Sequence, residues 1–545
     1  MVVKVTVCVS PQLDRAALDG QRRPQQAFFG GVFLSRDRIT APPGFDRWLV
    51  PPCALAVHLC IGMAYGFSVF WLPLSRALGG PACTTLTQAL TSTSCDWRVS
   101  DLVWVYTLFF VVLGLAAALW GGWVERVGPR RAALVAAACW CGGMAVGALG
   151  VFVHQLWLLW AGAGLIGGIG LGIGYITPVS TLIKWFPDRR GLATGMAIMG
   201  FGGGAMVGSP AADRLMTGFA RADGVGVWQA MLVLACIYAL FMAAGALGFR
   251  LPPQGWAPPG RAEAAAGGRF VALRDVHRIP QFWLVWCVLL CKVSASIGII
   301  GLASPMVQEI FGGRLFGTAV RFADFTAADK AAAAAAGAGF VGLISLFNIA
   351  GRFLWASQSD RTGRKAMYAL ILTLGAAIYG LVLPGPGAAS LLLFMACFAL
   401  IASMYGGGFA AVPAWLADLF GTAQVGAIHG RLLTAWSTAG VLGPLLVAYV
   451  RDARLAAGVP REAVYAPIFA ALAGLLVIGL IAALLVRPVA AQWWQDGEAP
   501  EATLPASAGT ATTARWGLRA ASWGAVLLPL AWGAWFTLQK AAALL

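Results

Sequence analysis

Charge is what this 545-residue chain has least of: Asp, Glu, Lys and Arg together make up 11% of it. A soluble domain carries roughly 25%. Too few ionised side chains are present to cover a water-facing surface, so a soluble globular enzyme and a charge-rich disordered chain are excluded. Cysteine is sparse, with 11 residues in the whole chain, which excludes a disulfide-stapled secreted domain. Acidic residues number 22 against 38 basic ones, and none lies deep within an apolar run. The first 46 residues contain no apolar core of the kind a cleavable signal needs. A phosphate-binding glycine loop before Lys-Ser/Thr, a catalytic triad and a His/Cys cluster with metal-ligand spacing are also missing, so neither ATP drive nor any cofactor is expected.

What is abundant is apolar. Hydrophobic residues make up 59%, glycines number 69, and mean hydropathy is +0.78. Only a helical integral membrane protein fits. A spanning helix needs about 20 apolar residues, and such runs fall at 48–74, 102–122, 132–152, 156–182, 191–212 and 228–249. A second set falls at 281–304, 337–357, 367–384, 389–416, 426–449 and 466–486, with a thirteenth run at 519–538. The pattern predicts an N-terminal extension at 1–46, a six-helix bundle at 47–249 and a central linker at 250–280. A second bundle at 281–487, a polar linker at 488–518 and an extra transmembrane helix at 519–540 complete it.

Orientation follows from the basic loops. Arg126, Arg130 and Arg131, then Lys184, Arg189 and Arg190, then Arg361, Arg364 and Lys365 all follow even-numbered spans. Arg451, Arg454 and Arg461 lie on the opposite side, so the bias is strong but incomplete. The N-terminus and central linker are predicted cytoplasmic. Topology accounts for most of the +16 net charge, and nucleic acid need not be invoked as a partner. The expected partners are the bilayer and a small organic anion, with one chain as the transport unit.

The two halves repeat. Glu125, Arg126 and Gly128 map onto Asp360, Arg361 and Gly363, each 235 residues apart, and the same offset links Pro178 to Pro413 and Gly195 to Gly430. The loop from Glu125 through Gly128 to Arg130, with its second copy from Asp360 through Gly363 to Arg364, resembles the signature of the major facilitator superfamily. A carboxylate there can cap a helix start and pair with a basic residue of a neighbouring span, and the glycine permits a tight turn. The resemblance implies two six-helix bundles enclosing a midplane site reached alternately from each side, with these loops as latches.

Three further stretches narrow the family: Tyr65 to Phe70, Gly172 to Ala205 with its Lys184-Trp185-Phe186-Pro187-Asp188-Arg189-Arg190-Gly191 run, and Tyr405 to Trp436. Together they resemble the oxalate/formate antiporter family, a relative of the monocarboxylate transporters. This implies transport of small carboxylates in a cell membrane, with a bacterial inner membrane expected.

Charges inside a span cost about 2.5–3.5 kcal/mol each on insertion scales, so each is a functional candidate. Arg352 in the eighth span, one turn after Asn348, resembles the family's substrate arginine. Lys292 lies near the middle of the seventh span and His58 in the first, where a proton-carrying role is one candidate and a backbone hydrogen bond the other. The oxalate exchanger's eleventh-span lysine has no counterpart here; that span holds only Arg431, read as a structural contact. Formate, lactate and pyruvate therefore stand beside oxalate as candidate substrates, with exchange or proton symport as the mode. Tyr65, Tyr175, Tyr405 and Trp436 are expected to line the cavity, and Gly202 to Gly204 to pack closely against a neighbouring span. A facilitator exporting hydrophobic compounds by proton coupling would need deep carboxylates, and a non-transporting sensor would need an output domain; neither is seen. Cys83 and Cys95 share the first external loop and are a candidate disulfide.

Overall fold

A computed structural model describes residues 39–75, 77–220, 225–253, 256, 269–300, 303–318, 320–321, 324–382, 391–460, 463–496 and 513–542. Most of the expected N-terminal extension and the centres of both predicted linkers lie outside the described residues.

The first half comprises α1 (Val50–Ile61), α2 (Val99–Val127), α3 (Pro129–Phe152), α4 (Gly167–Trp185), α5 (Arg190–Phe219) and α6 (Val227–Gly248). The second comprises α7 (Pro280–Ile300), α8 (Ala327–Thr362), α9 (Arg364–Val382) and α10 (Leu391–Phe420), then α11 (Val425–Leu432), α12 (Thr434–Ala456) and α13 (Ala466–Leu485). A last helix, α14 (Thr513–Ala542), lies across both halves. Among the described residues, nine helical stretches are long and apolar enough to cross a membrane by composition. The described parts of the spans predicted at 337–357, 367–384, 426–449 and 519–538 are occupied by helices but fall outside that set. Of these, α8 carries Asn348 and Arg352, and the eleventh span is interrupted at Leu433 between α11 and α12.

Several helices depart from their predicted shape. The first span is α-helical to Ile61 and then tightens into a 3-10 stretch, Gly62–Phe70, which carries Tyr65. Gly62 is required there, because a Cβ would lie 2.2 Å from the Phe201 carbonyl oxygen. Ahead of α4 runs a π-helical stretch, Trp160–Ile166. The eighth span starts ten residues earlier than predicted. The run Ala331–Ala336 is too weakly hydrophobic to read as membrane but is a strong helix former, and Thr326 with Asp329 closes a capping box at the start. The α2–α3 and α8–α9 turns pass through Gly128 at φ +80° and Gly363 at φ +85°, left-handed values that disfavour any side chain.

At the opposite end from these turns, Cys83 and Cys95 are joined by a disulfide. A carboxylate that the sequence placed outside the spans is also buried here. Glu309, in a helix at Ala303–Phe311, accepts from Arg451 Nη2 and from the Tyr465 hydroxyl, each at 2.5 Å. This pairing neutralises one of the basic residues that ran against the loop bias.

Candidate functional site

The two acidic loops sit at one end of the molecule, and each reaches across to the other half. Glu125 Oε1 accepts from the Gly426 amide at 3.1 Å, at the start of α11, and from Ser180 Oγ at 2.6 Å; its Oε2 pairs with Lys184 at 2.5 Å. Asp360 does the equivalent from the second half. Its oxygens accept from the Gly191 and Leu192 amides at 2.8 and 2.9 Å, at the start of α5, and pair with Arg364 at 2.5 Å. A helix start presents unpaired amides and a partial positive charge, so each carboxylate is held by the opposite bundle's helix. Asp418 adds a bridge of its own, accepting from Arg190 of the first half at 2.7 Å and from Arg364 of the second at 3.1 Å.

The latch end is closed to the level of the backbone. A Cβ on Gly191 would lie 2.1 Å from the Ala356 carbonyl oxygen, and one on Gly430 2.1 Å from that of Ala117. Arg126 donates to its own helix at Gly122, and Arg130 to the Phe249 carbonyl at the end of α6. Arg361 is exposed in the last turn of α8. Asp418, Ser180 and the amides of the opposite helices were not legible in the loop motif, because they come from other parts of the chain.

The central site lies beyond this seal. Arg352 is 1% exposed, and Asn348, one turn earlier on α8, accepts from its Nε at 3.1 Å. The Ile198 carbonyl of α5 accepts from its Nη1 at 3.0 Å, and the guanidinium faces the Phe201 ring at 5.9 Å. Asn348 is in turn fixed by the Ala402 carbonyl at 3.1 Å. Gly202 and Gly406 clear the space for the arginine: a Cβ on either would approach its side chain to 3.0 Å. Lys292 on α7 is also buried; it donates to the Tyr405 carbonyl at 2.9 Å and lies 5.5 Å from the Tyr405 ring. Neither cation has a carboxylate partner among the described residues.

The four predicted aromatics meet around the same space. The Tyr65 and Tyr405 hydroxyls are 3.4 Å apart, and the Trp436 ring lies 6.3 Å from Tyr65 and 5.4 Å from Tyr175. Two phenylalanines not singled out from the sequence tie them together. Phe201 packs edge-on to Tyr65 and Tyr175, and Phe409 to Tyr175 and Trp436. His58 is buried beside Tyr175, with Nδ1 2.6 Å from the Ala197 carbonyl oxygen and Nε2 3.1 Å from that of Tyr175. Arg431 points away from the cavity and donates to the Leu273 carbonyl at 2.7 Å. The glycine run of α5 does three jobs: Gly202 faces Arg352, Gly204 abuts the first span, and Gly203 receives Leu530 of α14.

The comparisons agree with this architecture. Over 399 residues the chain is 26% identical to the oxalate:formate antiporter of Oxalobacter formigenes, covering 73% of this chain and 83% of that protein. It is 29% identical over 228 residues to human monocarboxylate transporter 11, covering 42% and 43% respectively. The crystal structure of the human organic anion transporter MFSD10 superposes with a TM-score of 0.56 at 17% identity, over 81% of this chain and all of that one, a likeness of fold alone. Residues 54–338, more than half of the chain, match the family model of the Major Facilitator Superfamily, and with two linked bundles latched at one end and enclosing a buried site, the chain belongs to that superfamily of membrane transporters.

Proposed function

We propose that this transporter carries small carboxylate anions by alternating access, as an exchanger of oxalate, formate or monocarboxylates such as lactate and pyruvate. The observation that carries this reading is the pair Arg352 and Lys292: two buried cations from different helices, both held by neutral acceptors and neither matched by an acid among the described residues. An anion supplies the missing charge, and a guanidinium grips a carboxylate through paired hydrogen bonds. Relatives named for oxalate, formate and monocarboxylates support the same class. The basic loops support a cytoplasmic latch end and N-terminus in a bacterial inner membrane, with a single chain as the unit that cycles.

Counterflow in liposomes tests it. Preloading with unlabelled oxalate or pyruvate is expected to accelerate uptake of the labelled anion, and Arg352→Gln is expected to reduce that uptake by about tenfold or more, as loss of a charge-assisted pair implies. Undiminished carboxylate transport by Arg352→Gln would exclude the binding role.

A proton-coupled mode is a second reading, favoured by His58. Its two ring nitrogens both face carbonyl oxygens. A neutral imidazole donates from only one nitrogen, whereas the imidazolium donates from both. Uptake driven by a pH gradient in the wild type and lost in His58→Gln supports symport; trans-stimulation without gradient dependence supports exchange.

A further inference from the structure

One buried polar side chain is used by neither the latch nor the Arg352 pocket. His429 lies on α11, one turn beyond the Gly426 amide that Glu125 holds and two turns before Trp436. It is 1% exposed, and neither of its ring nitrogens has a hydrogen-bond partner among the described residues. Its ring lies 5.9 Å from that of Tyr175, whose buried hydroxyl is also unpartnered, as is Trp436 Nε1.

Buried polar atoms are normally paired, so a group with none of its partners present asks for an explanation. A seal between two bundles is made as well by leucine, which costs no desolvation. The place of His429 supplies the explanation. Along α11 the polar groups run from Glu125 and Ser180 at the latch, through His429 and Tyr175, to Trp436 at the cavity. In this state α11 is wedged against α2 and α4, with Gly430 against Ala117 and Gly426 against Ser180. Withdrawal of α11 from the first half on opening of the latch end would turn the imidazole toward the passage so formed.

We infer that His429 is a substrate-contacting residue of the latch-open state, donating a hydrogen bond to the carboxylate between Arg352 and the latch-side water. This rests on the carboxylate reading above and deepens it: the anion has a second station, reached only from one face. A neutral imidazole donates from one nitrogen and accepts at the other, so it can hold a carboxylate without adding a second buried charge to the exit path.

The test uses the full chain in liposomes, with labelled oxalate and labelled pyruvate as probes. Orientation is read from protection of an N-terminal tag, since Ile39 packs at Gly128 on the latch face. KM is measured for each face separately. His429→Leu is expected to raise KM at the latch face about tenfold and to change it less than about twofold at the other, with His429→Gln recovering most of the loss. Where the leucine variant does not fold, His429→Met removes the donor at similar volume. An unchanged latch-face KM, or an equal rise at both faces, overturns the assignment while leaving the carboxylate reading standing. Transport of neither anion by the wild type overturns that reading and the His429 station with it.

Discussion

Single atoms decide much of the central site. Lys292 Nζ occupies a gap that a Cβ on Gly408 would enter at 2.4 Å, and Gly406 approaches Asn348 so closely that a Cβ would lie 2.1 Å from its carbonyl oxygen. Gly406→Ala is therefore expected to push α10 away from α8 and destabilise the protein by about 1–3 kcal/mol, the usual cost of overpacking, read as a lower melting temperature in detergent together with lost transport. Lys292→Gln tests the second charge. If the lysine meets the far end of a dicarboxylate, oxalate uptake falls by about tenfold, while pyruvate, needing one cation, is affected less. The candidate cations were legible in the sequence because charge inside a span is costly and rare. His429 was not, since it stands near a span end, and only the packing of α11 against α4 revealed that it is buried with no hydrogen-bond partner among the described residues.

At the scale of elements, the latches convert two loop motifs into contacts between bundles. Glu125 on the α11 start and Asp360 on the α5 start are related by the same 235-residue offset as their sequences. Glu125→Gln and Asp360→Asn are each expected to weaken the closed latch by about 1–2 kcal/mol, the difference between charged and neutral acceptors. Distances between spin labels at the latch end would report this as a larger open population. A second tie holds the chain before α1. Arg47 pairs with Asp188 at 2.7 Å; burial works to raise the Asp188 carboxyl, but the guanidinium outweighs it and holds the group below its usual value. A depressed carboxylate contributes stability that is present above its unfolded pKa and lost as pH falls through the folded one. Protection of the amides of residues 39–47 from hydrogen exchange, corrected for the intrinsic pH dependence of the exchange rate, is thus expected to fall on acidification below the ordinary carboxylate range and to be insensitive to pH above it.

At the scale of the whole molecule, α14 is an addition that the twelve-span architecture does not require, yet it touches both halves. Leu530 fills the space at Gly203 and Gly533 lies on Met206, both of α5, while the helix also packs along α8. Arg519 pairs with Asp46, and Trp523 Nε1 donates to the Trp48 carbonyl at 3.1 Å, which ties it to the first span as well. Truncation before Thr513 is expected to lower the melting temperature, because it exposes the apolar faces of α1, α5 and α8 that α14 covers. Arg352-dependent counterflow should persist, since the hydrogen bonds and ring contacts of Arg352 and Lys292 among the described residues come from α5, α8 and α10.

The chain by itself determined that this is a two-fold repeated membrane transporter with few internal charges, because hydropathy, glycine spacing and the duplicated acidic loops are local patterns that one dimension can carry. It also marked Arg352, Lys292 and the aromatic set as candidates, though not their arrangement. Only the tertiary structure decided which of these converge, that Phe201 and Phe409 bind them into one cluster, that each latch acid reaches a helix start of the other bundle, and that His429 lies buried between them with no hydrogen-bond partner among the described residues. The physical reason is the same in each case: partners contributed by helices far apart in sequence meet through packing, and no periodicity in the chain encodes who meets whom.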